Sequence, residues 1–237
     1  MLGLKRSSAL ADDTILTAEN LYRIYRAGQE AVRALDGVSL RLNKREVVSV
    51  YGPSGSGKTT LLSILGGLDR PTSGRVFLAG VEISSLDEKQ LSTIRRRRVG
   101  FVFQNYNLVN ELTVLENVEL PLLFDGRSRR ETEQLSLKLL GRVNLAHQTN
   151  RRPYELSAGE QQRVATARAL VNGPLVVLMD EPTGNLDLES SSAVMDLVKE
   201  LNQERGTTFV IATHSHEIAQ KCSSRVLLKA GRVCPET

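Results

Sequence analysis

The sequence predicts an α/β protein with a mostly parallel sheet. Short apolar runs alternate along the chain with segments of helical periodicity, and a glycine-rich loop separates the first fully apolar run from the first helix. A later apolar run ends in two adjacent carboxylates. Strands that alternate with helices pair in parallel through crossovers, because the intervening helix leaves no room for a tight hairpin.

From Ile15 to Val50 the pattern favours strands. Val38-Ser39-Leu40-Arg41-Leu42 alternates between faces, whereas Val47-Val48-Ser49-Val50-Tyr51 reads as buried on both. Thr60 to Leu65 contains no glycine or proline and predicts a helix ending near Gly66-Gly67. After the turn Pro71-Thr72-Ser73-Gly74 follow a strand at Arg75 to Leu78, a helix near Asp87 to Arg97 and a strand at Val99 to Phe103. Strand signals then vanish from Asn105 to Asn172, where Leu135, Leu139, Leu140 and Val143 recur at helical spacing. That stretch reads as a helical insertion over about 105–171, flanked by core segments over about 15–104 and 172–233. Strands return at Leu175 to Met179 and Thr207 to Ala212, with a helix near Ser191 to Asn202 between them. With no internal repeat or linker, residues 1–237 read as one domain.

A chain of 237 residues with 41% hydrophobic and 24% charged residues belongs with ordinary globular proteins, which excludes collagen-like, disordered and disulfide-scaffold classes. The longest apolar run, Leu175 to Met179, falls far short of the roughly 18 residues that cross a bilayer. Lys5 and Arg6 imitate the basic start of a leader, but Ser7, Ser8, Asp12 and Asp13 occupy the place of its apolar core, so a cytosolic protein is expected. Cys222 and Cys234 lack a CxxC spacing and read as inert thiols. The net charge of +4 is compatible with nucleic acid or an anionic membrane surface and decides between neither.

Gly52-Pro53-Ser54-Gly55-Ser56-Gly57-Lys58-Thr59 satisfies GxxxxGK[ST] between a strand and a helix, the context that motif requires. Its glycines let backbone N–H groups turn inward around phosphates, and the helix N-terminus, continued by Thr60, favours an anion there. Lys58 is then expected to reach the β and γ phosphates, and the Thr59 hydroxyl to ligate Mg2+. Asp180 and Glu181 end a buried strand, where a parallel sheet presents groups to the crevice at its carboxyl edge. Asp180 is expected to hold Mg2+ through water, and Glu181 to accept the proton of the water that attacks the γ phosphate.

Leu156-Ser157-Ala158-Gly159-Glu160-Gln161-Gln162-Arg163 resembles the signature motif of ATP-binding cassette (ABC) proteins. With the phosphate loop, Gln104, Asn185-Leu186-Asp187 and Thr213-His214, the resemblance runs in order from about Ile15 to Val233. It implies a P-loop NTPase (RecA-like) core with an N-terminal antiparallel β subdomain and an inserted helical subdomain, an ATPase activity, and ATP with Mg2+. By the same resemblance Gln104 links Mg2+ and the attacking water to the insertion, His214 contacts the γ phosphate, and Tyr25 stacks on adenine, with Tyr22 as the competing ring. Ser157, Gly159, Glu160 and Asp187 would complete the ATP site of a second cassette paired head to tail. Read without the family, Ser157-x-x-Glu160 is also a capping box that opens a helix.

Departures from the family pattern are Ala158 and Glu160, where glycine and glutamine are more usual, and Arg45, where glycine commonly precedes Glu46 and whose presence points to a different turn. Arg95-Arg96-Arg97-Arg98 reads first as a solvated helix end whose cations suit the macrodipole, with a membrane surface or nucleic acid as further readings. His216 beside His214 suggests a metal pair, but no third ligand is evident.

Gly66-Gly67-Leu68-Asp69, Thr113-Val114-Leu115-Glu116-Asn117-Val118 and Gly184-Asn185-Leu186-Asp187 resemble the macrolide-exporter and lipoprotein-releasing (MacB/LolD-like) subfamily. That implies a subunit at the cytoplasmic face of the inner membrane, paired with a second cassette as a homodimer and with a transmembrane permease of few spans. The cargo would be a lipoprotein, lipid, peptide or drug. One alternative is a cell-division type of complex in which the ATP cycle regulates a cell-wall hydrolase. A soluble ABC protein acting on DNA or ribosomes would show a long coiled coil or two cassettes, and no nucleic acid partner is expected.

Overall fold

The structure, a computed structural model, describes residues 13–28 and 30–235. Lys5, Arg6, Ser7, Ser8 and Asp12, on which the reading of a leader turned, lie outside the described residues. Strands β1 (Thr14–Ala27) and β2 (Glu30–Asn43) form a long antiparallel pair. The other edge of β1 takes β4 (Ser73–Leu78), which pairs with the short β5 (Val81–Glu82). A second sheet contains β3 (Val47–Tyr51), β6 (Val99–Val102), β7 (Val176–Asp180), β8 (Thr208–Thr213), β9 (Ser224–Lys229) and β10 (Arg232–Cys234) in the order β10-β9-β3-β8-β7-β6. Its pairings are parallel except for the β9–β10 hairpin.

The continuous apolar runs of β7 and β8 are the mark of strands covered on both faces. Along each, the two-residue period divides the side chains between two cores. Val176, Leu178, Val210 and Ala212 join the core beneath the antiparallel sheet, with Leu16, Leu21, Leu61 and Leu65. Val177, Met179, Phe209 and Ile211 join a second core with Val114, Val118, Leu139, Leu140 and Val164 from the helical segment.

Helix α1 (Lys58–Leu65) crosses to the antiparallel sheet and ends at Gly66, where a Cβ would lie 2.1 Å from the Phe101 ring. α2 (Glu88–Arg98) opens with an Asp87–Gln90 capping box. Between β6 and β7 lie α3 (Val114–Phe124), α4 (Arg129–Arg142) and α5 (Ala158–Leu170), each started by a side-chain cap from Thr113, Ser128 or Ser157. α6 (Leu188–Arg205) begins at the Asp187 cap and stops at Gly206, and α7 (His216–Gln220) follows β8. Among the described residues, no helix is long and apolar enough to cross a membrane.

Three local expectations are refined. The arginine run is not simply solvated. Arg95 donates to Gly67 O at 2.8 Å, Arg96 donates to Phe124 O at 2.9 Å, and Arg96 and Arg97 both pair with Asp125. The run therefore ties α2 to the end of α3. Arg45 adopts φ 61°, the left-handed region in which glycine is unstrained, so the turn keeps a glycine-type backbone under an arginine. Its N–H donates to Thr208 Oγ1 at 2.9 Å. Cys222 packs against the second core, and burial pushes its thiol up to about 11, far from the thiolate a reactive cysteine needs.

Candidate functional site

Parallel register places the site. Tyr51 stands beside Thr213, Ala212 beside Asp180, and Met179 beside Val102, so β3, β8, β7 and β6 end at one edge. The residues just past those ends, Gly52, His214, Glu181 and Gln104, therefore emerge into one crevice.

The phosphate loop fills the β3 end. Gly52 has φ 157°, and a Cβ there would lie 2.0 Å from Leu228 O. Gly57 has φ 101°, and a Cβ there would lie 2.3 Å from Ala34 O. Both positions admit only glycine without moving backbone. Lys58 is buried, and its Nζ donates to Gly52 O at 2.9 Å and Pro53 O at 3.1 Å, with Glu181 Oε1 at 3.7 Å. Glu181 itself adopts φ 46°, a conformation that non-glycine residues keep only where the surroundings impose it. Its Oε2 lies 2.9 Å from His214 Nδ1 and accepts the His214 backbone N–H at 3.3 Å. Lys58, Glu181 and His214 thus form one network.

They line a cavity of about 400 Å³ together with Ser54, Gly55, Gly57, Thr59, Thr60 and Gln104. Its remaining wall is Val32, Arg33 and Ala34 of β2, three residues that no sequence motif pointed to. At the end of β7, burial raises the Asp180 carboxyl above its ordinary range, against the lowering effect of the neighbouring Thr59 hydroxyl. Asp180 Oδ1 is buried without a hydrogen-bond partner among the described residues, as is Ser56 Oγ inside the loop. An orphaned buried carboxylate oxygen beside a threonine hydroxyl is a donor set suited to a hard cation such as Mg2+.

Other expected site residues lie elsewhere. The Tyr25 hydroxyl donates to Asp69 Oδ2 at 2.8 Å, and the Arg23 guanidinium, paired with the same aspartate, covers the ring at 4.4 Å from its centroid. Tyr25 does not line the phosphate cavity. Tyr22 packs its hydroxyl near Gly37. Ser157, Gly159 and Glu160 are also absent from that cavity and open α5 instead. There Ser157 Oγ accepts the Glu160 N–H at 3.3 Å, and Glu160 Oε2 accepts the Ser157 N–H at 2.8 Å. The bond from the Ser157 N–H, with help from the Ser157 hydroxyl and Gln148, holds the Glu160 carboxyl below its usual value against the opposing effect of burial. Ala158 packs its methyl against the second core, which explains how α5 accommodates it. Asp187 caps α6 by accepting the Ser190 N–H at 2.8 Å, and this bond lowers its carboxyl. The His216 ring meets Tyr51 edge-on at 5.9 Å.

Asn185, which the family resemblance places with Asp187 in the loop between paired cassettes, donates through Nδ2 to Gln104 O at 3.3 Å and links the loop before α6 to the end of β6. A second, more apolar groove of about 640 Å³ runs between the sheet and α3, walled by Leu68, Phe101, Phe103, Leu120, Pro121 and Phe124. No single motif outlined it, because its walls come from four separated segments.

The profile of the ABC transporter family matches residues 35–184. The lipoprotein-releasing system ATP-binding protein LolD of Aquifex aeolicus is 48% identical, over 94% of this chain and 97% of its own length. The macrolide export ATP-binding/permease protein MacB of Rhodopirellula baltica is 45% identical over 91% of this chain, a match that spans 32% of that longer protein. The dimeric post-hydrolysis structure of the ATP-binding cassette MJ0796 bound to ADP and Pi superposes with a TM-score of 0.87 at 42% identity, covering 94% of this chain and 98% of that one.

Proposed function

Since the chain belongs to the ABC transporter family as an ATP-binding, ATP-hydrolysing subunit of the LolD/MacB-like subfamily, we propose that it hydrolyses ATP at the Lys58–Glu181–His214 cavity to drive export or extraction of a substrate. The observation that carries this reading is the convergence of phosphate loop, carboxylates and Gln104 at one sheet edge. In the proposed cycle Ser54, Gly55, Ser56, Gly57, Thr59 and Thr60 cradle the phosphates through backbone N–H groups. Lys58 leaves the Gly52 and Pro53 carbonyls for the β and γ oxygens. Until then its ammonium gives Glu181 a partial counter-charge; afterwards the carboxylate is free to take a proton from the attacking water. His214 orients that carboxylate through the 2.9 Å contact and reaches the γ phosphate. Thr59, Gln104 and Asp180, the last through water, would hold Mg2+, which neutralises charge on the β and γ oxygens when bound.

The absence of Ser157, Gly159 and Glu160 from their own chain's cavity supports a head-to-tail pair of cassettes, a homodimer in the simplest case. In it these residues and Asp187 complete the partner's site. Gly159 adds weight, because a Cβ there would meet nothing closer than 3.7 Å among the described residues. A helical glycine costs about 1 kcal/mol relative to alanine, and nothing among the described residues requires one at that position. An approaching phosphate would. The apolar groove beside α3 suits a permease segment at the cytoplasmic membrane face, and the names of the relatives favour transport over regulation of a cell-wall hydrolase.

The test is Glu181→Gln. We expect retained ATP binding, an ATP-closed dimer, and turnover lower by about 100-fold to 10,000-fold. Wild-type phosphate release in the mutant, measured with its permease present, would remove Glu181 from this role.

A further inference from the structure

The chain just after Gln104 turns in an uncommon way. Tyr106 and Asn107 have φ 61° and 48°, and Tyr106 is a bulky, buried side chain for which the left-handed region is an outlier. Two consecutive residues of this kind persist only where neighbours over-determine them. Arg168, in the last turn of α5, is that neighbour. Its Nη1 donates to Asn107 O at 2.6 Å and its Nη2 to Tyr106 O at 2.7 Å. No carboxylate pairs with this guanidinium among the described residues, and burial alone lowers its pKa. A half-buried guanidinium committed to two carbonyls rather than to an acid is an unusual use of a cation, and the fork of guanidinium donors is what can hold two adjacent peptides at once. From the other side, Asn185 holds the Gln104 carbonyl. Arg168 also lines the apolar groove, so one side chain touches both the groove and the loop that carries Gln104.

We infer that Arg168 is a positioning residue for Gln104: its fork fixes the two left-handed peptides downstream and thereby sets how the glutamine amide enters the nucleotide cavity. The inference rests on the role of Gln104 in the proposed function.

The experiment compares Arg168→Met, Arg168→Lys, Gln104→Ala and the Arg168→Met/Gln104→Ala double variant in the dimeric protein with its permease. It reads kcat, KM and ATP affinity separately. Arg168→Met should lower kcat about tenfold with ATP affinity within about twofold, the pattern of a misplaced reacting group. Arg168→Lys should recover little, because one ammonium does not reproduce the fork. In the Gln104→Ala background, Arg168→Met should cost no more than about twofold further. Losses that multiply independently, or an affinity loss as large as the kcat loss, overturn the inference while leaving the reading of Gln104 intact. Wild-type kcat in Gln104→Ala overturns that reading, and the inference with it. If Arg168→Met does not fold, Arg168→Lys carries the same comparison, and wild-type kcat in the lysine variant overturns the inference.

Discussion

At the edge of the parallel sheet the chain gathers Lys58, Glu181, His214 and Gln104 around one cavity, whereas Ser157 and Gly159 open α5 away from that cavity. The first region is held by register. Four strand ends lie level, and Lys58, Glu181 and His214 partner one another, while Asp180 keeps one oxygen, Oδ1, without a hydrogen-bond partner among the described residues. The second is held by a cap, because the Ser157–Glu160 box satisfies the first turn locally and leaves Gly159 without a steric reason among the described residues. A residue type that its own fold does not require is a pointer outward. The contrast separates groups that meet within one chain from residues that the proposed head-to-tail pair would bring to a second chain's site.

The strongest way to break this comparison is complementation. Ser157→Arg and Lys58→Ala chains should each hydrolyse ATP at least about 100-fold more slowly than wild type, since each loses a charge-stabilising element in both sites of its dimer. Mixed dimers should recover part of the activity, because one composite site carries both lesions and the other is intact. Absence of recovery in proven mixed dimers, measured by phosphate release, would count against the head-to-tail arrangement. Cysteines placed at Ser54 and Ala158 for crosslinking would then report whether the two surfaces meet.

Asp180 offers a test confined to the first region, with opposite signs for stability and activity. Burial raises its carboxyl in the folded state, so the group favours the fold when protonated and loses that contribution as pH rises through the raised value. Wherever the group ionises, its partnerless Oδ1 is therefore a cost to the nucleotide-free protein. Asp180→Asn should raise the melting temperature without nucleotide, lessen its fall as pH rises, and sharply reduce Mg-dependent turnover. A lower melting temperature at neutral pH would show that the carboxylate is satisfied after all. No such gain is expected from Asp187→Asn. That carboxyl is lowered by the bond from the Ser190 N–H, so it stabilises the fold above the ordinary carboxylate range and loses this effect as pH falls through its depressed value.

What the sequence made legible follows the same division. β3, β7 and β8 announce themselves because burial on both faces demands unbroken apolar runs, and the phosphate loop and the α5 cap because their chemistry is local. β9 was not anticipated, since only Leu228 of its residues is buried and the rest of the strand owes its place to pairing with β3 and β10. The arginine run showed its helix-end logic but not Asp125, which lies 28 residues beyond Arg97 in the chain. Gln104 and His214 are single polar residues whose meeting depends on strand order, so only the family resemblance singled them out. Val32, Arg33 and Ala34 reach the cavity through the pairing of β2 with β1, which no motif encodes.

Tyr25 belongs to neither region as the structure stands, and its substitutions carry the smallest expected effects. The ring is 40% exposed, tethered through its hydroxyl to Asp69 and covered on one face by Arg23. To stack on adenine it must leave both. The gain from stacking, about 1 kcal/mol for an aromatic contact, is then reduced by the cost of breaking an exposed hydrogen bond, about 0.5–1.5 kcal/mol. Tyr25→Ala should therefore weaken ATP binding by no more than about fivefold, and Tyr22→Ala by less. Tyr25→Phe separates the two terms, because it keeps the ring and removes the tether. If the ring stacks on adenine, the phenylalanine variant should bind ATP at least as tightly as wild type, and up to about twofold tighter in a nucleotide titration. If Tyr25 serves only to brace Asp69 and Arg23, both substitutions should lower thermal stability, Tyr25→Ala the more because it also removes the ring under Arg23, and both should leave ATP affinity where it was. That outcome would return the ring to the antiparallel sheet and leave recognition of the base to the wall formed by Val32, Arg33 and Ala34.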